Sequence, residues 1–170
     1  MAIYLIGNGP MQTTAAFASV TTGTAIKTML QLKSGSTTAI KILEWGISFD
    51  GSAAATPGKV ELIETDVAAT VTASAAADFT KYDAVAIALG DPTTALFAVG
   101  TTSTGYTASS EGSITAVRNL DGPQFIAPTT QFVKQFPLGR EPFIQSGKFG
   151  RIRVTFGTAV NAYCYMLVEV

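Results

Sequence analysis

FPLGREPFIQSGKFGRIRVTFGTAVNAYCYMLVEV, residues 136–170, is the stretch on which the fold turns. It reads as three strands separated by short breaks, over 141–145, 148–156 and 160–170. In the middle one, Ile152, Val154 and Phe156 fall on one face and Arg151, Arg153 and Thr155 on the other. That period of two marks a strand with one buried face. The last strand is apolar on both faces: Tyr163, Tyr165 and Leu167 alternate with Ala162, Cys164, Met166 and Val168. Such a strand belongs in the middle of a sandwich or against a neighbouring subunit, not on an open edge.

Working back towards the N-terminus, residues 131–136 place Phe132, Lys134 and Phe136 on one strand face. Residues 113–120 read as a strand turned by Asp121-Gly122-Pro123. The Thr/Ser/Gly/Ala-rich run over 93–112, around Phe97 and Tyr106, has the composition of a surface loop. Residues 83–89 read as a strand or a helical turn ended by Gly90-Asp91-Pro92. The Ala-rich stretch over 66–80 leaves strand, loop and short helix open. Residues 59–65 form a further strand with Val60 and Leu62 inward.

The strongest hairpin spans 25–49. Ile26, Thr28, Leu30 and Leu32 alternate with Lys27, Met29, Gln31 and Lys33; Gly35-Ser36-Thr37-Thr38 makes the turn; the return strand carries Leu43, Trp45, Ile47 and Phe49 on one face. Trp45, the sole tryptophan, reads as a core anchor. Residues 1–24 open with a short β-prone piece containing Tyr4 and Ile6, cut by Gly7-Asn8-Gly9-Pro10. Two readings stay open for it: an arm that pairs with a neighbouring molecule, or an extra strand of the home sheet. About seven to nine short strands with turn chemistry between them, and no long helix, point to an all-β antiparallel sandwich of the jelly-roll type over 25–170.

Composition narrows the function classes. One domain is the default at 170 residues. Charged residues make up 14%, against roughly 25% in soluble domains, and Thr, Ser, Ala and Gly fill the difference. Little charge then has to be desolvated when such a surface packs against another. A net charge of -1 with no basic patch gives no reason to expect a nucleic-acid or membrane partner. The N-terminus lacks a signal-peptide pattern and no apolar run is long enough to span a bilayer, so synthesis in a cytoplasm is expected.

Histidine is absent and Cys164 is the only cysteine, which removes Ser-His-Asp and Cys-His catalysis, thiolate metal sites and an intrachain disulfide. Glu61 and Glu64 stand an odd number of positions apart in a strand, hence on opposite faces, and do not form a glycosidase pair. The acids Asp66, Asp78, Asp83 and Asp91 match no EF-hand spacing. No catalytic residue, metal or cofactor is expected. The basic residues to weigh are Arg140, in the loop after residue 136, and Arg151 with Arg153, on one strand face. They serve either a solvated or salt-bridged sheet or contacts to a partner, a role in which Arg is enriched.

Several segments carry a resemblance: WGISFDG (45–51), VELIETDVAATVT (60–72), GTTSTGYTASSEGSIT (100–115), FVKQFPLGREPFI (132–144) and GRIRVTFGTAVNAYCYMLVEV (150–170). Together they resemble a family of small virion proteins of tailed bacteriophages and prophages. Its most specific part is FPLGREP followed by the RIRVT strand and the AVN turn, and residues 1–24 fall outside it. The family is similar to jelly-roll decoration, or cementing, proteins that sit on capsids, commonly as trimers. The resemblance implies a non-enzymatic homotrimer on the capsid surface of a virion, bound to the lattice of a phage major capsid protein. Tyr4, Ile6, Arg140, Arg151, Arg153, Tyr163 and Tyr165 are the candidate subunit or partner contacts. The rivals are a carbohydrate-binding jelly roll using Tyr82 or Tyr106, and another virion component such as a tail, fibre-base or minor head protein.

Overall fold

A computed structural model describes residues 2–10, 16, 18–82 and 97–170. In chain order the strands are β1 (Ile3–Gly7), β2 (Val20–Thr21), β3 (Ile26–Ser34), β4 (Ile40–Asp50), β5 (Gly58–Thr65), β6 (Thr70–Ala73), β7 (Phe79–Lys81), β8 (Phe97–Ala98), β9 (Gly105–Ser110), β10 (Arg118–Ile126), β11 (Gln131–Gln135), β12 (Phe143–Ile144), β13 (Phe149–Thr155) and β14 (Asn161–Glu169). They form two antiparallel sheets of seven strands each. Sheet A runs β11-β4-β14-β1-β7, with β12 also on β4 and β2 also on β14; sheet B runs β10-β5-β13-β3-β9-β6, with β8 also on β3. The two sheets pack face to face as a β-sandwich, the all-β class expected from the alternation.

The core lies between the sheets. Sheet A contributes Ile40, Ile42, Trp45, Ile47, Cys164, Met166 and Val168, and sheet B contributes Leu30, Leu32, Val60, Leu62, Ile152 and Val154, all of them buried. Aromatic rings fill its length: Trp45 against Phe132 at 5.1 Å, Phe49 against Phe156 at 4.9 Å, and Phe97 against both Phe79 at 4.9 Å and Tyr4 at 5.2 Å. Trp45 is an anchor as expected, and its indole N–H donates to Asp121 Oδ2 at 3.0 Å. β14 sits in mid-sheet between β4 and β1, which explains why both its faces are apolar.

Residues 1–24 do not project as an arm where they are described. β1 pairs with β14 from Ile3↔Glu169 to Gly7↔Tyr165 and with β7 on its other side, so it is an interior strand of sheet A. Tyr4 and Ile6 are therefore core residues rather than partner contacts, at 2% and 0% exposure. Where β1 ends, Asn8 continues the ladder with its own side chain. Its backbone N–H donates to Cys164 O, its Nδ2 donates to Ala162 O, and its Oδ1 accepts from the Cys164 N–H, at 3.0, 3.1 and 3.0 Å.

Other expectations need correcting. In β3, Arg153 pairs with Thr28 and Ile152 with Leu30, leaving Met29 as a bulge. The bulge turns Met29 into the core and Thr28 away from it, where Thr28 bonds the Glu111 carboxylate instead. β4 has a similar step: Leu167 pairs with Glu44 and Val168 with Ile42, so Leu43 drops out of the face formed by Trp45, Ile47 and Phe49. Asp121-Gly122-Pro123 is not a turn but an irregular stretch inside β10, with register shifts on either side of Asp121. The run read as a loop around Tyr106 contains β9, and the Ala-rich stretch resolves into β6, a 3₁₀ turn at Ala76–Asp78 and β7. The strand expected over 141–145 shortens to β12. The segment 83–89 and its Gly90-Asp91-Pro92 stop lie outside the described residues.

Candidate interaction face

The outward side of sheet A is built from residues that alternate with the core. Register places Val133 beside Gly46, Gly46 beside Tyr165, and Tyr165 beside Gly7. The next rows place Ser48 beside Tyr163, and Glu44 beside Leu167, which faces Leu5. The two glycines are where the tyrosine rings lie. A Cβ on Gly46 would come within 2.6 Å of Tyr165 Cε1, and one on Gly7 within 3.1 Å of Tyr163 Cε2. The rings therefore rest flat on bare backbone and stack on each other with centroids 6.0 Å apart and planes 24° apart. Tyr165 donates its hydroxyl to Glu44 Oε1 at 2.6 Å. Burial first, and then that hydrogen bond, push its phenol well above the ordinary range. Burial likewise raises Tyr163, with Cys164 and Tyr82 adding to it.

Tyr163, Tyr165, Leu5 and Leu167 are half-buried and Val133 is exposed, which makes a shallow face of rings, methyls and hydroxyls. Its charges among the described residues are Glu44, capped by Tyr165, the Lys41–Glu169 pair at 2.6 Å at one end, and the exposed Asp50 opposite Asn161 at the other. Of the candidate contacts, Tyr163 and Tyr165 lie here, on the side of β14 away from the core.

Arg151 and Arg153 lie on the outward side of sheet B, but two loops cover them. Arg151 is fully buried; it donates to the Val67 and Glu111 carbonyls, and its Nη1 lies 3.6 Å from Glu111 Oε2. Arg153 is 7% exposed, pairs with Glu61 at 2.7 Å and donates to the Ile114 carbonyl. Neither reaches a partner from there. They clasp the segments around 67 and 111–114 onto the sheet, which is the salt-bridged alternative in buried form. Desolvation lowers the Arg151 pKa, opposed by Glu111 and reinforced by Arg153. The loops that bury these arginines sit far from them in sequence, so alternation alone placed the side chains on a face without revealing its cover.

Arg140 is exposed in a turn whose Arg140 N–H donates to Pro137 O, beside Leu138 and Gly139 at φ +79°. Glu61 and Glu64 are on opposite faces as read. Glu64 is fully buried, receives two hydrogen bonds from Arg118 at 2.8 Å each and a third from the Gln145 N–H at 2.7 Å. Tyr106 is half-buried within β9, and its phenol is raised by burial and by Asp78, whereas Tyr82 is exposed. Among the described residues no helix is long and apolar enough to cross a membrane. No family model matches the chain, no curated protein matches it, and no solved structure matches it.

Proposed function

We propose that this chain is a non-enzymatic structural protein of a tailed-bacteriophage virion, a jelly-roll decoration protein that trimerises and seats on the lattice of the major capsid protein. The observation that carries the reading is the outward face of sheet A. Its centre is half-buried in the single chain and hydroxyl-bearing, with charge only at Glu44 and towards the two ends, which suits packing against protein with few ions to desolvate. Two features lend support. Several acids are already neutralised within the fold, in the pairs Arg118–Glu64, Arg153–Glu61 and Lys134–Asp121. The chain also crosses from one sheet to the other at β3→β4→β5, at β10→β11 and at β12→β13→β14, the wrapping that a jelly roll uses.

Light scattering on the purified chain is expected to give three times 17.7 kDa. The substitution Tyr163→Arg should yield folded monomers, because it puts a cation into the threefold contact and leaves the core face of β14 untouched. Electron microscopy of particles carrying the labelled chain should find it on the capsid shell. A monomeric wild type, label confined to the tail, or a specific ligand in a glycan-binding screen would each replace this reading with one of its rivals.

A further inference from the structure

A second surface lies along the flank where the open edges of the two sheets, β10 and β11 with β12, meet. The flank is held shut by Lys134 to Asp121 at 3.1 Å and by Arg118 donating to the Phe143 carbonyl. Phe125, Val133, Leu138 and Phe143, half of the eight exposed large hydrophobics among the described residues, fall on it, at 77, 51, 97 and 46% exposure. Its charge is sorted by depth. In each ion pair the acid is the more buried partner: side-chain exposure is 40% for Arg118 against 0% for Glu64, 42% for Lys134 against 8% for Asp121, and 26% for Lys41 against 15% for Glu169. Arg140 is exposed, while its neighbour Glu141 is buried at 7%. What the flank shows to solvent is therefore cationic and apolar, although the chain as a whole carries -1.

Among the described residues, no strand pairs with the outer edge of β11 along this flank. Thr130 O and Phe136 N–H both bond β4, so the alternation of an antiparallel ladder turns the N–H and C=O of Gln131, Val133 and Gln135 away from it. We propose that β11 accepts an acidic extended segment of a partner protein as an added strand. Main-chain bonds would run to Gln131, Val133 and Gln135, apolar side chains would rest on Val133 and Phe143, and carboxylates would meet Lys134, Arg118 and Arg140. Charge sign chooses the occupant. A second copy pairing through its own β11 would bring two cationic flanks together, whereas an acidic segment neutralises one. The proposal does not depend on the virion reading, since it uses the open backbone of β11, although the Val133 side chain also borders the tyrosine face.

The probe is a fluorescein-labelled peptide of alternating Glu and Val, with an alternating Lys and Val peptide as control, followed by anisotropy with the full chain. The acidic peptide is expected to bind, weaken steeply with added salt, and slow amide exchange at Gln131, Val133 and Gln135. Val133→Pro removes a donor that the β4 ladder does not use, so the fold should persist while binding falls about tenfold. Arg140→Glu should weaken it too, through a side chain that makes no ion pair among the described residues. Equal affinity for the basic peptide, unchanged binding by a folded Val133→Pro variant, or a wild-type dimer that this variant dissociates would overturn the proposal.

Discussion

Asn8 stands in for a strand that has run out. Its amide supplies what a β-residue at that point would have offered β14, namely an acceptor for Cys164 N–H and a donor for Ala162 O. Asn8→Ala strands both groups in a buried place, and each unpaired group costs about 1–3 kcal/mol. Chemical denaturation should therefore show a loss of roughly 2–4 kcal/mol with no change in oligomeric state. Cys164 beside it is fully enclosed, and burial raises its thiol well above the ordinary value. A thiol-reactive dye is expected to label it only at the rate of global unfolding, in the wild type and in any variant of the tyrosine face alike.

At the scale of elements, two interior features decide what mutations do. Removing residues 2–10 deletes β1 from between β14 and β7, so the truncated chain should fail to fold, judged by loss of its β-type circular dichroism, instead of merely losing attachment. Breaking the covered clasp on sheet B is the second case. Arg153→Met leaves the buried Glu61 with only the more distant Lys59 at 3.7 Å and should cost up to about 3–5 kcal/mol in urea denaturation, while adding Glu61→Met should recover most of that loss. Alternation revealed the faces of β13 and β14 because both are regular over their length. It missed the phase changes in β3 and β4 because a bulge adds one residue without altering composition. The trace it does leave is a pair of adjacent apolar residues, Met29-Leu30 and Ile42-Leu43, where the alternation changes phase. β9 escaped notice since Gly, Thr and Ser dominate it, and its pairing to β3 and β6, not propensity, makes it a strand.

For the whole molecule, stability towards acid should be governed by Glu64. Burial on its own would raise that carboxyl, yet the hydrogen bonds from Arg118 and the Gln145 N–H hold it below the ordinary value of 4.5. A depressed acid stabilises the fold above its unfolded value and loses that contribution as pH falls through the folded one. The melting temperature of Glu64→Gln should thus lie below wild type near neutrality, and the gap should close as pH drops below 4.5. The tyrosine face was legible in sequence as one side of an all-apolar strand; that this side points outward, with its rings seated on Gly7 and Gly46, depends on β-strand neighbours that alternation cannot supply. The pairing of β1 with β14 has a further consequence for biogenesis. Ile3 pairs with Glu169, Ala2 and Val170 exchange two backbone bonds, and on the other side the Tyr82 N–H donates to Ile3 O. A growing chain can thus match one edge of β1 with β7 early, while the other edge stays open until β14 has been made.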